Sequence, residues 1–244
     1  MKLRSLLLLA GLGSVTGCTL SDNEQLGLDE VQKRYGGKVS FKIGTVASTN
    51  ATHVQGKVLE LDVVGANFTK YGDNLGLPAS TSALLLYHHM SKVERADYDG
   101  LQVVLQNGTS GRKFNFRMPV LARAEQAESQ LRILLDNWRQ HNYQAVANCW
   151  TQAALRGPSR AGLVAEVIRQ GEKIGPIASF TPEGYIGVEV PVNGHLEQLL
   201  NAYVTLVAPT GSTQQMVFCL NPQLPASGQF LYGLAFLNPL FTFK

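Results

Sequence analysis

Apolar and polar residues alternate from Lys38 to Ile43, with Val39, Phe41 and Ile43 set against Lys38, Ser40 and Lys42. That period of two predicts a half-buried strand. The alternation returns at Leu59, Leu61 and Val63, then as a short strand at Val103 and Leu105, and again at Phe114, Phe116 and Met118. Between the second and third strands, Asn67 to Pro78 is rich in turn formers. Ser80 then offers an N-cap, and a helix is predicted from about Thr81 to Asp97 with Leu86, Met90 and Val93 on one stripe. Asn107-Gly108 marks a hairpin. The order is ββαββ, expected as an open antiparallel sheet with one helix to cover it. Upstream, Leu28, Val31 and Tyr35 predict one or two helical turns, ended by Gly36-Gly37.

The second half changes period. Leu131, Leu134, Leu135 and Trp138 recur at i, i+3, i+4 and i+7, the clearest amphipathic helix in the chain. A polar turn at residues 140–142 leads to a second helix through Ala145, Val146, Cys149 and Trp150. A third, with Leu163, Val164, Val167 and Ile168, is capped by Gly157-Pro158-Ser159 and ends at Gly171. Strands are then predicted at 177–181, 185–190, 196–207, 215–220 and 230–237, with Pro182-Glu183-Gly184, Pro209-Thr210-Gly211 and residues 221–228 as turns. The fold class is α+β.

At the N-terminus, Lys2 and Arg4 precede an apolar run from Leu6 to Leu12, and Val15-Thr16-Gly17-Cys18 follows. The run is too short to span a bilayer, and the three-part order is that of a secretory signal. Its ending resembles the lipobox of bacterial lipoproteins, with Val15 in place of the commoner leucine. The resemblance implies that residues 1–17 are removed and Cys18 is acylated. Stable anchoring takes at least two acyl chains, and proteins of this family usually carry three. The implied partner is a lipid membrane. Thr19 and Leu20 stand where an inner-membrane retention signal would place aspartate, so the resemblance implies a lipid-anchored place in the bacterial cell envelope, at the outer membrane in a Gram-negative cell. Residues 18–37 would then be anchor and spacer, 38–120 the ββαββ domain, and 121–244 the second α+β domain.

Charge and cysteines narrow the picture. The formal charge is +3, and Lys2 and Arg4 account for two of those positive charges. A nearly neutral remainder without charge runs argues against a nucleic-acid partner. With Cys18 acylated, Cys149 and Cys219 are the only pair left. An exported location permits a disulfide between them, and two buried free thiols fit equally well.

Helices followed by an antiparallel meander resemble the nuclear-transport-factor-2-like, or cystatin-like cone, superfamily over about residues 125–240, carried by LLDNWRQHNYQAVANCW. Enzymes of that superfamily hold an acid or a histidine in the cone, which would make Asp136, His141 and Tyr203 cavity-lining candidates. Reactive spacing is otherwise missing. His88 and His89 point about 100° apart on a helix, wrong for one metal ion. Residues 157–162 (GPSRAG) have one residue too many for a nucleophile elbow, and Gly36-Gly37-Lys38 is no phosphate loop. The expectation is a non-enzymatic binding or assembly module with an envelope protein partner, without cofactor, metal or catalytic residues. A small-molecule binder or hydrolase using the cone is the alternative.

Overall fold

The computed structural model describes residues 20–47, 54–107, 110–155, 159–192 and 194–237. The signal segment with Cys18, His53, the Gly108 and Gly157-Pro158 turn positions, and Phe241-Thr242-Phe243 lie outside them. The chain is α+β, with strands leading, helices in the middle and an antiparallel sheet at the end.

Helix α1 (Asp22–Tyr35) is longer than the one or two turns expected. A capping box nucleates it: Ser21 Oγ accepts from the Glu24 amide at 3.1 Å, and the Ser21 amide donates to Glu24 Oε2 at 2.8 Å. Leu28, Val31 and Tyr35 are buried on its inner stripe, so this segment belongs to the core and is not a spacer. Gly36 and Gly37, both at positive φ, turn the chain into the first sheet.

That sheet has the order β1 (Lys38–Val46), β2 (Gly56–Val64), β3 (Gly100–Asn107), β4 (Ser110–Arg117). It is mixed rather than antiparallel: β1/β2 and β3/β4 are antiparallel, but β2 and β3 run parallel. The reason is the connection. Residues 65–99 form a helical crossover, which delivers the next strand in the same direction. Leu59, Leu61 and Val63 lie beside Leu101, Val103 and Leu105 in register, all of them buried. On the strand positions between them sit Glu60 and Asp62, which pair with Lys42 (3.3 and 2.7 Å), and Glu60 also pairs with Lys113 (2.5 Å).

The crossover helix differs from expectation in both limits. Helix α2 (Gly76–His89) starts before Ser80, since Pro78 in a first turn costs no hydrogen bond. It stops at Met90, where a second capping box, Ser91 with Glu94, starts α3 (Lys92–Asp97). Val93 therefore leaves the buried stripe and is 80% exposed. Helix α2 is buried on nearly every side, from Leu77 through Leu84 and at Leu86 and Tyr87. Gly27 of α1 lets the two helices approach closely: a methyl there would fall 2.9 Å from the Leu86 Cα.

Helix α4 (Met118–Arg139) begins directly after β4, taking Met118 out of the strand, and it runs across the expected boundary at residues 120–121. Its stripe is as predicted: Leu131, Leu134, Leu135 and Trp138 are all buried. Helices α5 (Tyr143–Asn148) and α6 (Arg160–Ile174) follow, the latter capped by Ser159 Oγ on the Gly162 amide at 3.2 Å. The second sheet is an antiparallel meander, β5 (Ser179–Val192), β6 (His195–Val207), β7 (Thr213–Leu220), β8 (Leu231–Phe236). Ala202, Val204, Leu206, Met216, Phe218 and Leu220 are buried on one face, and α4 packs on β6 and β7. Gln130 of α4, fully buried, donates to the Asn221 and Leu224 carbonyls at 2.7 Å each. Trp138, Phe218 and Phe230 belong to one core cluster that runs from α1 to β8.

Pro182-Glu183-Gly184 is not a turn between two strands. It is a bulge inside the single strand β5: Pro182 pairs with Val204 and Gly184 with Tyr203, leaving Glu183 unpaired in the ladder. Helix α2 sits against this bulge, and a methyl at Gly184 would come within 2.5 Å of the Leu77 Cα. We expect Gly184→Ala to lower stability by about 1–3 kcal/mol through overpacking. Gly187→Ala on the same strand, where a methyl meets nothing within 4 Å, should be near neutral. Urea melts of the two variants check this.

Candidate functional site

The bulge frees backbone groups that a regular ladder would use, and α2 takes them up. Thr81 Oγ1 donates to the Glu183 carbonyl at 2.9 Å, and the Tyr185 amide donates to Ser80 Oγ at 2.9 Å. Ser80 Oγ in turn donates to the Leu77 carbonyl at 2.8 Å. Buried hydroxyls in a helix are thus satisfied across the joint between the two sheets.

The extra residue turns its carboxylate into the same joint. Glu183 Oε2 accepts from Lys70 Nζ at 2.9 Å and from the Tyr71 hydroxyl at 2.8 Å, while Oε1 accepts from Thr205 Oγ1 at 2.8 Å. A 3₁₀ turn, Thr69–Tyr71, presents the first two, and the Asn67 side chain accepts the Thr69 amide at its start. Burial alone would push the Glu183 carboxyl up; the bonds from Lys70, Thr205 and Tyr71 outweigh it and hold the group below the usual carboxylate range. Burial pushes the Tyr71 phenol well up, with Tyr35 and Glu183 adding to it. The ring of Tyr35 lies 6.4 Å from that of Tyr71, and Arg34 donates to the Pro182 carbonyl. An acid with three donors on it is an ionised anchor and is poorly placed to give up or take a proton near neutral pH.

Beside the anchor is a cavity of ≈ 20 Å³ lined by Lys70, Tyr71, Leu77, Glu183, Tyr203 and Gln215, among others, room for about one water. Gln215 and Leu237 are shared with a groove of ≈ 570 Å³ at the end of the second sheet. Thr205, Ser212, Thr213 and Gln214 line it on one side, with Ile174 and Ile177 among its apolar walls. Among the described residues, none that lines it carries a charge, which suits an uncharged polar ligand.

The three cavity candidates are scattered. Tyr203 lines the small cavity, and burial raises its phenol. Asp136 pairs with Arg139 one turn along α4 at 3.1 Å. His141 is exposed in the α4–α5 turn at φ 58°, with Nδ1 2.9 Å from the Tyr143 hydroxyl. Both thiols are free. Cys149 is buried and pushed up to about 11 by that burial, Cys219 is half-buried and also raised, and neither is a reactive thiolate. His88 and His89 diverge as their helical spacing requires, His88 to Glu128 of α4 (3.3 Å) and His89 to Glu30 of α1 (2.6 Å). They join three helices. Among the described residues, no group of three or more His, Cys, Asp or Glu is arranged to hold a metal ion. In sequence Glu183 has the setting of a turn residue, and its partners lie 113, 112 and 22 residues away.

The chain matches no family model. No curated protein and no solved structure matches it either.

A carboxylate held below its unfolded value adds stability that is complete above the ordinary carboxylate range and is lost as the pH falls through and below it. Lys70 is 60% exposed, so solvent screens its ion pair, and the buried bond from Tyr71 with the part-buried one from Thr205 carries the rest. Glu183→Gln should therefore cost roughly 1–3 kcal/mol at pH 7 and flatten the loss of stability on acidification. Urea melts repeated from neutral to acid pH check both effects.

Proposed function

We propose that the protein is an exported lipoprotein, held in the bacterial cell envelope by acylated Cys18 and acting as a non-enzymatic binding or assembly module for an envelope protein partner. The observation that carries this is the order of the basic head at Lys2 and Arg4, the apolar run Leu6 to Leu12 and Val15-Thr16-Gly17-Cys18. Thr19 and Leu20 after the cysteine favour the outer membrane in a Gram-negative cell. Among the described residues, no helix is long and apolar enough to cross a membrane. An acyl anchor would supply the attachment such a helix would otherwise give. In the native host, Cys18→Ala should abolish incorporation of labelled palmitate and move the protein out of the membrane fraction. Unchanged fractionation, with no label in either form, overturns the proposal.

A second reading, a small-molecule binder or hydrolase using the C-terminal half, is favoured by the groove beside Tyr203 and Gln215. Its resemblance to the cone superfamily points the same way. Under this reading, a thermal-shift screen of uncharged polar small molecules should find a ligand whose stabilisation Gln215→Ala weakens, with membrane fractionation unchanged.

A further inference from the structure

Helix α1 starts at Asp22 with Ser21 as its cap, and Leu20 already packs against the core. If Cys18 carries the acyl chains, the two residues from it to Leu20 span at most about 7 Å. The end of the body that carries Leu20 then sits at the headgroups, with no slack to drift from them.

That end is built from two helix starts. Asn23 of α1 donates to Glu94 of α3 at 3.3 Å, across 71 residues of chain. Two large apolar side chains flank this bond. Val93, next to Glu94, is 80% exposed, the highest among the large apolar residues described, and Leu26, one turn beyond Asn23, is 53% exposed, third after Leu196 of β6. Neither Val93 nor Leu26 is covered by the described residues. Single exposed apolar residues are ordinary. Two of them beside a tether this short are where a bilayer would meet the body. The exposed side of α1 also carries Asp22, Asp29 and Glu30, so attraction to anionic lipid is not the driving force.

We propose that the α1–α3 corner is a bilayer-contact surface: with Cys18 acylated, Val93 and Leu26 seat among zwitterionic phospholipid headgroups and hold the body at a fixed tilt. This rests on the lipoprotein reading. It also orients α2. Helix α3 follows the C-terminal end of α2, whereas Leu77 at the other end lines the cavity that shares Gln215 and Leu237 with the groove. Helix α2 has 14 residues and is roughly 20 Å long. On this placement the Leu77 end of α2, and the cavity beside it, lie about one helix length from the α3 end.

The test uses the full acylated chain, purified from membranes and reconstituted into phosphatidylcholine liposomes with or without brominated acyl chains, which quench tryptophan only at bilayer depth. Val93→Trp and, independently, Leu26→Trp should each lose about a third or more of their added fluorescence in brominated liposomes, as side chains seated 5–10 Å into the interface would. Thr210→Trp, in the β6–β7 turn beside the groove, should lose none. If the protein floats with the liposomes but neither Val93→Trp nor Leu26→Trp is quenched, or all three are quenched alike, the contact surface is overturned and the tether stands. If the chain carries no acyl mass and does not float, the lipoprotein reading falls and takes this inference with it.

Discussion

Everything in this fold depends on one exchange of hydrogen bonds between a helix and an interrupted strand. Strand β5 takes in an extra residue at Glu183, which breaks its ladder to β6 and strands a carbonyl and an amide. Thr81 and Ser80 of α2 accept that role at 2.9 Å each. An unsatisfied buried backbone group costs about 1–3 kcal/mol, so the bulge and the helix hold each other in place: neither is tolerable without its counterpart. Two glycines on the neighbours of α2 make this possible: any side chain at Gly184 of β5 or at Gly27 of α1 would run into the α2 backbone at Leu77 or Leu86.

The joint also explains why an acid is buried there. Once Glu183 is the unpaired residue of the bulge, its side chain leaves the ladder's alternation and enters the space between the sheets. There it must find donors or be neutralised. Lys70 and Tyr71 come from the first half of the chain and Thr205 from the second. One carboxylate thus ties together segments with nothing in common in sequence, and its role is architectural.

Where burial is one-sided, the pattern of residues announces the structure. Val39, Phe41 and Ile43 alternate as β1 requires, and the Leu131-to-Trp138 stripe is the buried face of α4. Where burial is complete, periodicity carries no information, and α2 is misplaced by several residues because small and apolar side chains surround it on all sides. Two helix starts are legible in the sequence itself: Ser21 with Glu24 and Ser91 with Glu94 are both capping boxes at the spacing of three. Pro182-Glu183-Gly184 has the composition of a turn, and only the register with β6 shows a bulge instead. Parallel pairing of β2 with β3 is legible only through the helix predicted between them, since a helical crossover returns the chain in the same direction. The Glu183 cluster could not be read from spacing, since its members meet only in three dimensions.

Helix α4, Met118–Arg139, straddles the place where composition suggests the polypeptide could be divided. Severing it there would strip α2 from the strand it completes, leaving Glu183 without Lys70 and Tyr71 in one fragment and the bare hydroxyls of Ser80 and Thr81 in the other. The two halves share one continuous core cluster and the hydrogen bonds of the joint. Fragment expression is a poor route to this molecule; insertion of a reporter at the β6–β7 turn, which the joint does not use, is a better one.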